Sequence, residues 1–354
     1  MKNIEKYLSL LGQEVDGLLL TSRYSRFYGA EFDIAEGIAV VTKAGCRYFT
    51  DSRYIESARK GIRGFEVMEM NRANPYNKLL NEAIEQFGIR RLGYEEGYLT
   101  VAEYQGFEKE LKTQLIPCGS RINRFRAVKE EWELTRMRKA QAITDKAFSE
   151  VLTRIQTGMT EKQLQAELIY CLYKNGGEGL SFDPIVVSGP NTSLPHGVAT
   201  DRVIREGDFI TMDFGVIYDG YCSDMTRTVA VGYATEEMQK VYKTVLAAQQ
   251  AGIAATKPGA TGKEIDGAAR QVITDAGYGA YFGHGYGHSI GMECHELPSC
   301  SPGGTTPMEA GMVTSAEPGI YLPGKFGVRI EDLVIFTDDG CENITSSSKN
   351  LIII

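Results

Sequence analysis

Asp208–Gly232 reads DFITMDFGVIYDGYCSDMTRTVAVG, two β-rich runs placed around Asp219-Gly220. An Asp-Gly pair is a preferred two-residue hairpin loop, because both positions take positive φ. With that loop, Asp213 faces Thr226 and Gly215 faces Asp224. Residues two apart on a strand share a face, so Asp213 and Asp224 become diagonal neighbours, roughly 7–8 Å apart or less. Two carboxylates so placed on an apolar hairpin repel unless a cation or a proton lies between them. The alternative is that both are solvated on an exposed face. Two further acids stand in apolar company. Glu317 ends the run Gly311-Met-Val-Thr-Ser-Ala and begins Glu-Pro-Gly-Ile-Tyr, and Glu331 sits inside Gly327-Val-Arg-Ile-Glu-Asp-Leu-Val-Ile-Phe. A buried acid needs a partner, here either Arg329, two residues earlier on the same face, or a metal ion.

The chain has 4 histidines, and His284, His288 and His295 fall together among glycines in Phe282-Gly-His-Gly-Tyr-Gly-His-Ser-Ile-Gly-Met-Glu-Cys-His-Glu-Leu-Pro. Glycine lets backbone approach closely, and imidazole is the commonest metal ligand and proton shuttle. Regular alternation puts His284 and His288 on one face and His295 on the other, unless a bulge intervenes, so the ligand among the three stays open. His196 lies in Ser188-Gly-Pro-Asn-Thr-Ser-Leu-Pro-His-Gly, a turn-rich loop of the kind that carries catalytic groups on a rigid scaffold.

The elements that must position these residues follow from patterning. The first ~120 residues alternate strands (Asp16–Leu20, Gly37–Val41, Arg47–Asp51) with amphipathic helices (Tyr54–Arg63, Tyr76–Phe87), an α/β arrangement. A basic stretch, Arg121-Ile-Asn-Arg-Phe-Arg-Ala-Val-Lys, precedes a helical pattern from Glu131 to about Gln156. The expected domains are therefore 1–124 and 125–354. Thr160 and Gln163 form a capping box that opens a helix to about Lys174, with Leu164, Leu168, Cys171 and Leu172 on its core face. Helical patterns at Thr235–Ala255 and Gly262–Ala276 interrupt an otherwise strand-rich remainder.

At 354 residues, the chain is longer than one ordinary core, and 43% hydrophobic with 24% charged residues is usual for a soluble globular protein. Apolar runs fall far short of the roughly 20 residues that span a bilayer, and no signal peptide is read at the N-terminus. The 7 cysteines are scattered with no Cys-x-x-Cys, which fits a reducing cytoplasm rather than a disulfide framework or zinc knuckle. A net charge of −8 argues against nucleic acid as the main partner.

Taken together, Asp213-Phe-Gly…Gly220-Tyr-Cys-Ser-Asp224-Met-Thr-Arg-Thr, Gly287-His-Ser-Ile-Gly-Met-Glu-Cys-His-Glu-Leu-Pro, Glu317-Pro-Gly-Ile-Tyr and Gly327-Val-Arg-Ile-Glu-Asp resemble the pita-bread (creatinase/methionine aminopeptidase) metallopeptidase superfamily. Within it they resemble the Xaa-Pro branch, aminopeptidase P and prolidase. The resemblance extends to Phe125-Arg-Ala-Val-Lys, Gly158-Met-Thr-Glu and, in the first domain, Phe49-Thr-Asp-Ser-Arg-Tyr, so it covers nearly the whole chain. It implies a C-terminal pita-bread α/β (α+β) domain behind a smaller creatinase-like α/β domain.

The same resemblance implies two divalent ions (Mn²⁺ foremost, with Co²⁺, Fe²⁺ or Zn²⁺ as alternatives) held by Asp213, Asp224, His288, Glu317 and Glu331. It implies His196, His295 and Glu317 as catalytic groups, and His196, His284, His295 and Arg329 as substrate contacts. The substrates would be peptides with proline second, and a homodimer is expected because such relatives are commonly dimers. Ser289 departs from the usual glycine. Ser299 stands where many relatives carry arginine, and no Lys or Arg lies between His295 and Glu317. A strict dipeptidase must pair its substrate's C-terminal carboxylate with a cation, so this absence favours an aminopeptidase acting on longer peptides over a prolidase. Arg329, a first-domain residue or a neighbouring subunit are the other sources of that charge. The intact ligand set weighs against a metal-free creatinase-type amidinohydrolase and a non-catalytic binding protein, and the first domain with His284 weighs against a methionine aminopeptidase.

Overall fold

Six short apolar runs in the first 120 residues pair into one sheet in the computed structural model, which describes residues 2–354. The chain divides into two compact units, with the break after Arg126. In the first unit the strands are β1 (Gly17–Leu20), β2 (Ile38–Thr42), β3 (Gly45–Asp51), β4 (Glu66–Met70), β5 (Arg91–Tyr94) and β6 (Gln114–Pro117), in the order β4-β3-β2-β1-β5-β6. Pairing is antiparallel through β1, β2 and β3 and parallel at both edges, where helices supply the crossovers. Leu19, Val40, Phe49 and Leu92 meet Leu79, Leu80 and Ala83 of the helix Tyr76–Phe87 to form its core.

The second unit, Ala127–Ile354, carries the candidate site. Its strands are β7 (Gly179–Leu180), β8 (Ile185–Ser188), β9 (Phe209–Phe214), β10 (Val216–Tyr218), β11 (Tyr221–Cys222), β12 (Met225–Ala230), β13 (Gly287–Ser289), β14 (Glu296–Cys300), β15 (Val313–Ala316), β16 (Gly319–Leu322), β17 (Phe326–Arg329), β18 (Asp332–Phe336) and β19 (Cys341–Asn343). They form the groups β11-β10-β7, β12-β9-β8, β14-β13-β15-β18-β19 and β16-β17.

Strand alternation decides which way β9 and β12 point. Ile210, Met212, Phe214, Met225 and Val229 pack with Leu164, Leu168, Cys171 and Leu172 of the helix Glu161–Lys174 and with Ala147, Phe148 and Val151 of the helix Glu131–Leu152. Burying each such large apolar side chain stabilises by about 1.5–3 kcal/mol, so this face is strongly specified. Asp213, Thr211, Thr226 and Thr228 consequently share the opposite face. The capping box is present, with Thr160 Oγ1 accepting from Gln163 N and Gln163 Oε1 accepting from Thr160 N. The helix from Glu131 stops at Leu152, a turn short of the expected Gln156, and Arg154 N bonds back to Val151 O.

Asp219 (φ 47°) and Gly220 (φ 77°) make the expected loop, and Thr226 pairs with Asp213 as the spacing requires. The hairpin is not continuous, however. Gly215 separates β9 from β10, and there a Cβ would lie 1.9 Å from Ser223 O. The close backbone approach splits one predicted ribbon between two sheets and leaves Asp224 in the gap between β11 and β12.

Candidate metal centre

The two ribbons that bear the four acids are stitched together by threonines. Thr226 Oγ1 donates to Glu331 Oε2 at 2.6 Å, while Glu331 N donates to Thr226 O at 3.1 Å. Thr228 Oγ1 donates to Arg329 O at 3.0 Å. Beneath them Arg227, fully buried, pairs with Asp332 at 2.7 Å and also donates to the carbonyls of Thr226, Glu331, Ser347 and Ser348. Removing one member of such a pair strands the other charge, at a cost of about 3–5 kcal/mol.

The third wall comes from the histidine-rich segment. Gly287 lies so close to β15 that a Cβ would sit 2.1 Å from Ser315 O. Register then shifts between His288 and Ser289, so that His288 pairs with Ser299 and Ser289 with Glu296. This bulge returns His295 to the side of His288, and their ring centroids are 4.2 Å apart. The turn is held by Glu296, which accepts from Met292 N and Glu293 N and pairs with Lys129 at 2.9 Å, with both side chains buried. Lys129 and Glu296 each lie in a quoted motif, but their pairing was not legible in the sequence, because the contact spans 167 positions.

Asp213, Asp224, His288, Glu317, Glu331, His196, His284, His295 and Arg329 all line one cavity of about 570 Å³. Phe182, Pro184, Ile185, Pro195 and Val198 add an apolar wall. His288 Nδ1 faces Ser289 O at 3.1 Å and therefore carries the proton, leaving the Nε2 lone pair toward Glu317 Oε1 (3.4 Å) and Asp224 Oδ2 (3.6 Å). Ser315 Oγ accepts from His288 N and donates to Glu317 Oε1. His284 is otherwise engaged. Its Nδ1 donates to Gly285 O, so its Nε2 accepts from Tyr321 OH at 2.9 Å.

Arg329 is not the partner of Glu331 that strand alternation offered. Its guanidinium reaches Asp213 Oδ2 at 2.6 Å, Tyr321 OH at 2.9 Å and Pro195 O at 3.1 Å. Glu331 lies past the end of β17, so the same-face rule no longer relates the two residues.

Burial first, then the charges of Asp213 and Glu317, pushes the Asp224 carboxyl well above its ordinary range. Burial and then the charges of Asp224, Glu317 and Asp213 do the same to Glu331. Glu317 is raised too, again chiefly by burial. Asp213 Oδ1 and Asp224 Oδ1 are buried without a hydrogen-bond partner among the described residues. Buried acceptors without donors, among carboxyls that raise one another, fit a site built for cations. Asp224, His288 and Glu331 each bring a ligand atom within 4.8 Å of the others. The donor set, four carboxylates and one imidazole, is hard and oxygen-rich.

Residues 135–338 match the description "Metallopeptidase family M24", and residues 4–128 match "Creatinase/Prolidase N-terminal domain". An uncharacterized peptidase of Bacillus subtilis (strain 168), YqhT, is 41% identical over 353 residues, covering 99% of each chain. Among solved structures, an Xaa-Pro dipeptidase from Bacillus anthracis superposes with a TM-score of 0.96 at 40% identity, covering 100% of this chain and 99% of that one. An X-Pro aminopeptidase from Thermotoga maritima superposes with a TM-score of 0.93 at 35% identity, covering 99% of both. Family and fold are those the four motifs implied.

Proposed function

This chain belongs to metallopeptidase family M24, and from that premise we propose that it is a dinuclear-metal exopeptidase cleaving the bond between an N-terminal residue and a following proline. The observation that carries the reading is the cavity itself: four acids and His288 converge there, with one oxygen each of Asp213 and Asp224 buried and unpartnered among the described residues. Asp213, Asp224, His288, Glu317 and Glu331 would hold two divalent ions, Mn²⁺ by preference for so oxygen-rich a set. When bound, the ions supply Lewis acidity and lower the pKa of bound water toward neutrality.

The chain's own groups handle the protons. Glu317, whose carboxyl burial already pushes upward, takes the proton of the attacking water and returns it to the leaving nitrogen. His196 and His295, lining the same cavity, donate toward the developing oxyanion. The amide before proline has no N–H, so recognition falls to shape, for which the Phe182, Pro184 and Ile185 wall is suited.

Arg329 bears on substrate length. With its guanidinium committed to Asp213, Tyr321 and Pro195, it is poorly placed to receive a dipeptide's carboxylate. That supports an aminopeptidase accepting Xaa-Pro-Yaa peptides. The second reading, a dipeptidase, is favoured by full-length likeness to proteins named Xaa-Pro dipeptidase. No described helix is long and apolar enough to cross a membrane, and all 7 cysteines are free. A cytoplasmic homodimer acting on peptides, with no role for nucleic acid, completes the proposal.

Xaa-Pro dipeptides and Xaa-Pro-Yaa tripeptides assayed side by side with added Mn²⁺ separate the two readings, since cleavage of dipeptides alone refutes the first. Asp224→Ala should lose both bound metal and turnover. Undiminished cleavage by that variant in metal-depleted buffer would refute the metal centre.

A further inference from the structure

Cys294 has no part in the chemistry above, yet it lies inside the same cavity and not by itself. Its thiol donates to Asp224 Oδ2 at 3.5 Å, the oxygen that also lies 3.6 Å from His288 Nε2. One donor atom from each of His288, Cys294 and His295 lies within 4.8 Å of the others. The bulge at His288/Ser289 brings the two imidazoles together, and Ser289 O fixes the His288 proton on Nδ1. The other oxygen of that carboxylate, Asp224 Oδ1, is buried and without a hydrogen-bond partner among the described residues. Two imidazoles and a thiol are a softer donor set than the carboxylates they adjoin.

We propose that His288, Cys294 and His295 form a second metal position, selective for thiophilic divalent ions such as Cd²⁺ or Zn²⁺, that turns the peptidase centre off. Loading it forms a metal–sulfur bond and releases the Sγ proton to solvent, with no change in oxidation state. His288 Nε2 is the lone pair that both donor sets require, so the soft ion and the hard ion compete for it. A cysteine here therefore makes the centre sensitive to soft metals in a way that an aliphatic residue would not. The inference rests on reading this cavity as the metal centre.

The test is to titrate metal-free, full-length protein with Cd²⁺ alone and follow the thiolate-to-cadmium charge-transfer absorbance. The same titration is run on Cys294→Val and Cys294→Ser. The wild type should develop a saturable band that both variants lack, although every other cysteine remains. Saturating Mn²⁺ should raise the Cd²⁺ required by about 10-fold or more. In Mn²⁺-supported turnover, the Cd²⁺ concentration for half inhibition, taken against each protein's own uninhibited rate, should rise by about 10-fold or more in Cys294→Val. A band of unchanged affinity in both variants, or none in the wild type, overturns the proposal. The absorbance arm needs no turnover, so a protein that cleaves no Xaa-Pro peptide but loses the band on Cys294→Val refutes the proposed function alone.

Discussion

Glu161→Gln tests how the loop bearing His196 is held in place. The Glu161 carboxylate is fully buried at the first turn of its helix. Its Oε1 accepts from Ser188 N at 2.7 Å, Ser188 Oγ at 2.8 Å and Asn191 Nδ2 at 3.0 Å. Its Oε2 accepts from Thr200 N at 2.9 Å and Thr200 Oγ1 at 2.6 Å. One side chain thus closes both ends of the segment that contains His196. Glutamine keeps the shape but turns one acceptor into an NH₂ donor, and either orientation aims that donor at a backbone N–H. An unmade buried hydrogen bond costs about 1–3 kcal/mol, and losing the charge from the bonds that remain costs about 1 kcal/mol more, roughly 2–4 kcal/mol in all. With a urea m-value of about 3 kcal/mol/M for a unit of this size, the unfolding midpoint should fall by about 1 M. Turnover should fall with it, while bound metal stays constant because its proposed ligands lie outside the loop. Urea unfolding followed by circular dichroism, with metal analysis and kcat on the same preparation, measures all three. A midpoint within about 0.2 M of wild type refutes the anchoring argument.

Other perturbations have equally definite outcomes. Gly287→Ala drives a Cβ to 2.1 Å from Ser315 O, so β13 must move away from β15. A thermal scan should show a loss of about 1–3 kcal/mol, and metal affinity should drop with it; neither change occurring would contradict the close-approach account. His196→Ala should lower kcat by about 10²–10⁴-fold with bound metal unchanged, and lost metal would instead make His196 a ligand. The Glu150 carboxyl is depressed from 4.5 to about 2 by Lys174, then Asn175 and Arg154. Its contribution to stability is therefore present above pH 4.5 and is lost as pH falls toward 2. Glu150→Gln should flatten that acid limb slightly, and less so in high salt; an unaltered limb at low salt refutes the pairing.

The parts of this molecule legible from sequence are those set by local rules. Asp219-Gly220 specifies a loop, the loop specifies that Thr226 meets Asp213, and the Thr160 capping box specifies where a helix begins. What escaped is set by contacts between distant segments. The alternation rule placed His295 away from His288, and a bulge at Ser289 reversed it. The same rule offered Arg329 to Glu331, whereas the end of β17 delivers it to Asp213, 116 positions away. Glu161 read as part of a helix start and of the Gly158-Met-Thr-Glu match, with no anchoring role, because its partners on the His196 loop are named by the fold. Cys294 carried no motif of its own, and its neighbours become visible only once the bulge is placed.

The threonine stitching between the two carboxylate ribbons has a consequence for the order of events during folding. The bond from Thr226 to Glu331 joins positions 105 apart in the chain, and closing so long a loop is slow compared with forming the helices and hairpins on either side. The full set of acids therefore comes together late, after the chain around it has condensed. A cation arriving early finds only isolated carboxylates, which bind it weakly. With the proposed ligands, metal is expected to act as a lock rather than a template, slowing unfolding without hastening folding, which stopped-flow refolding and unfolding with and without Mn²⁺ would measure.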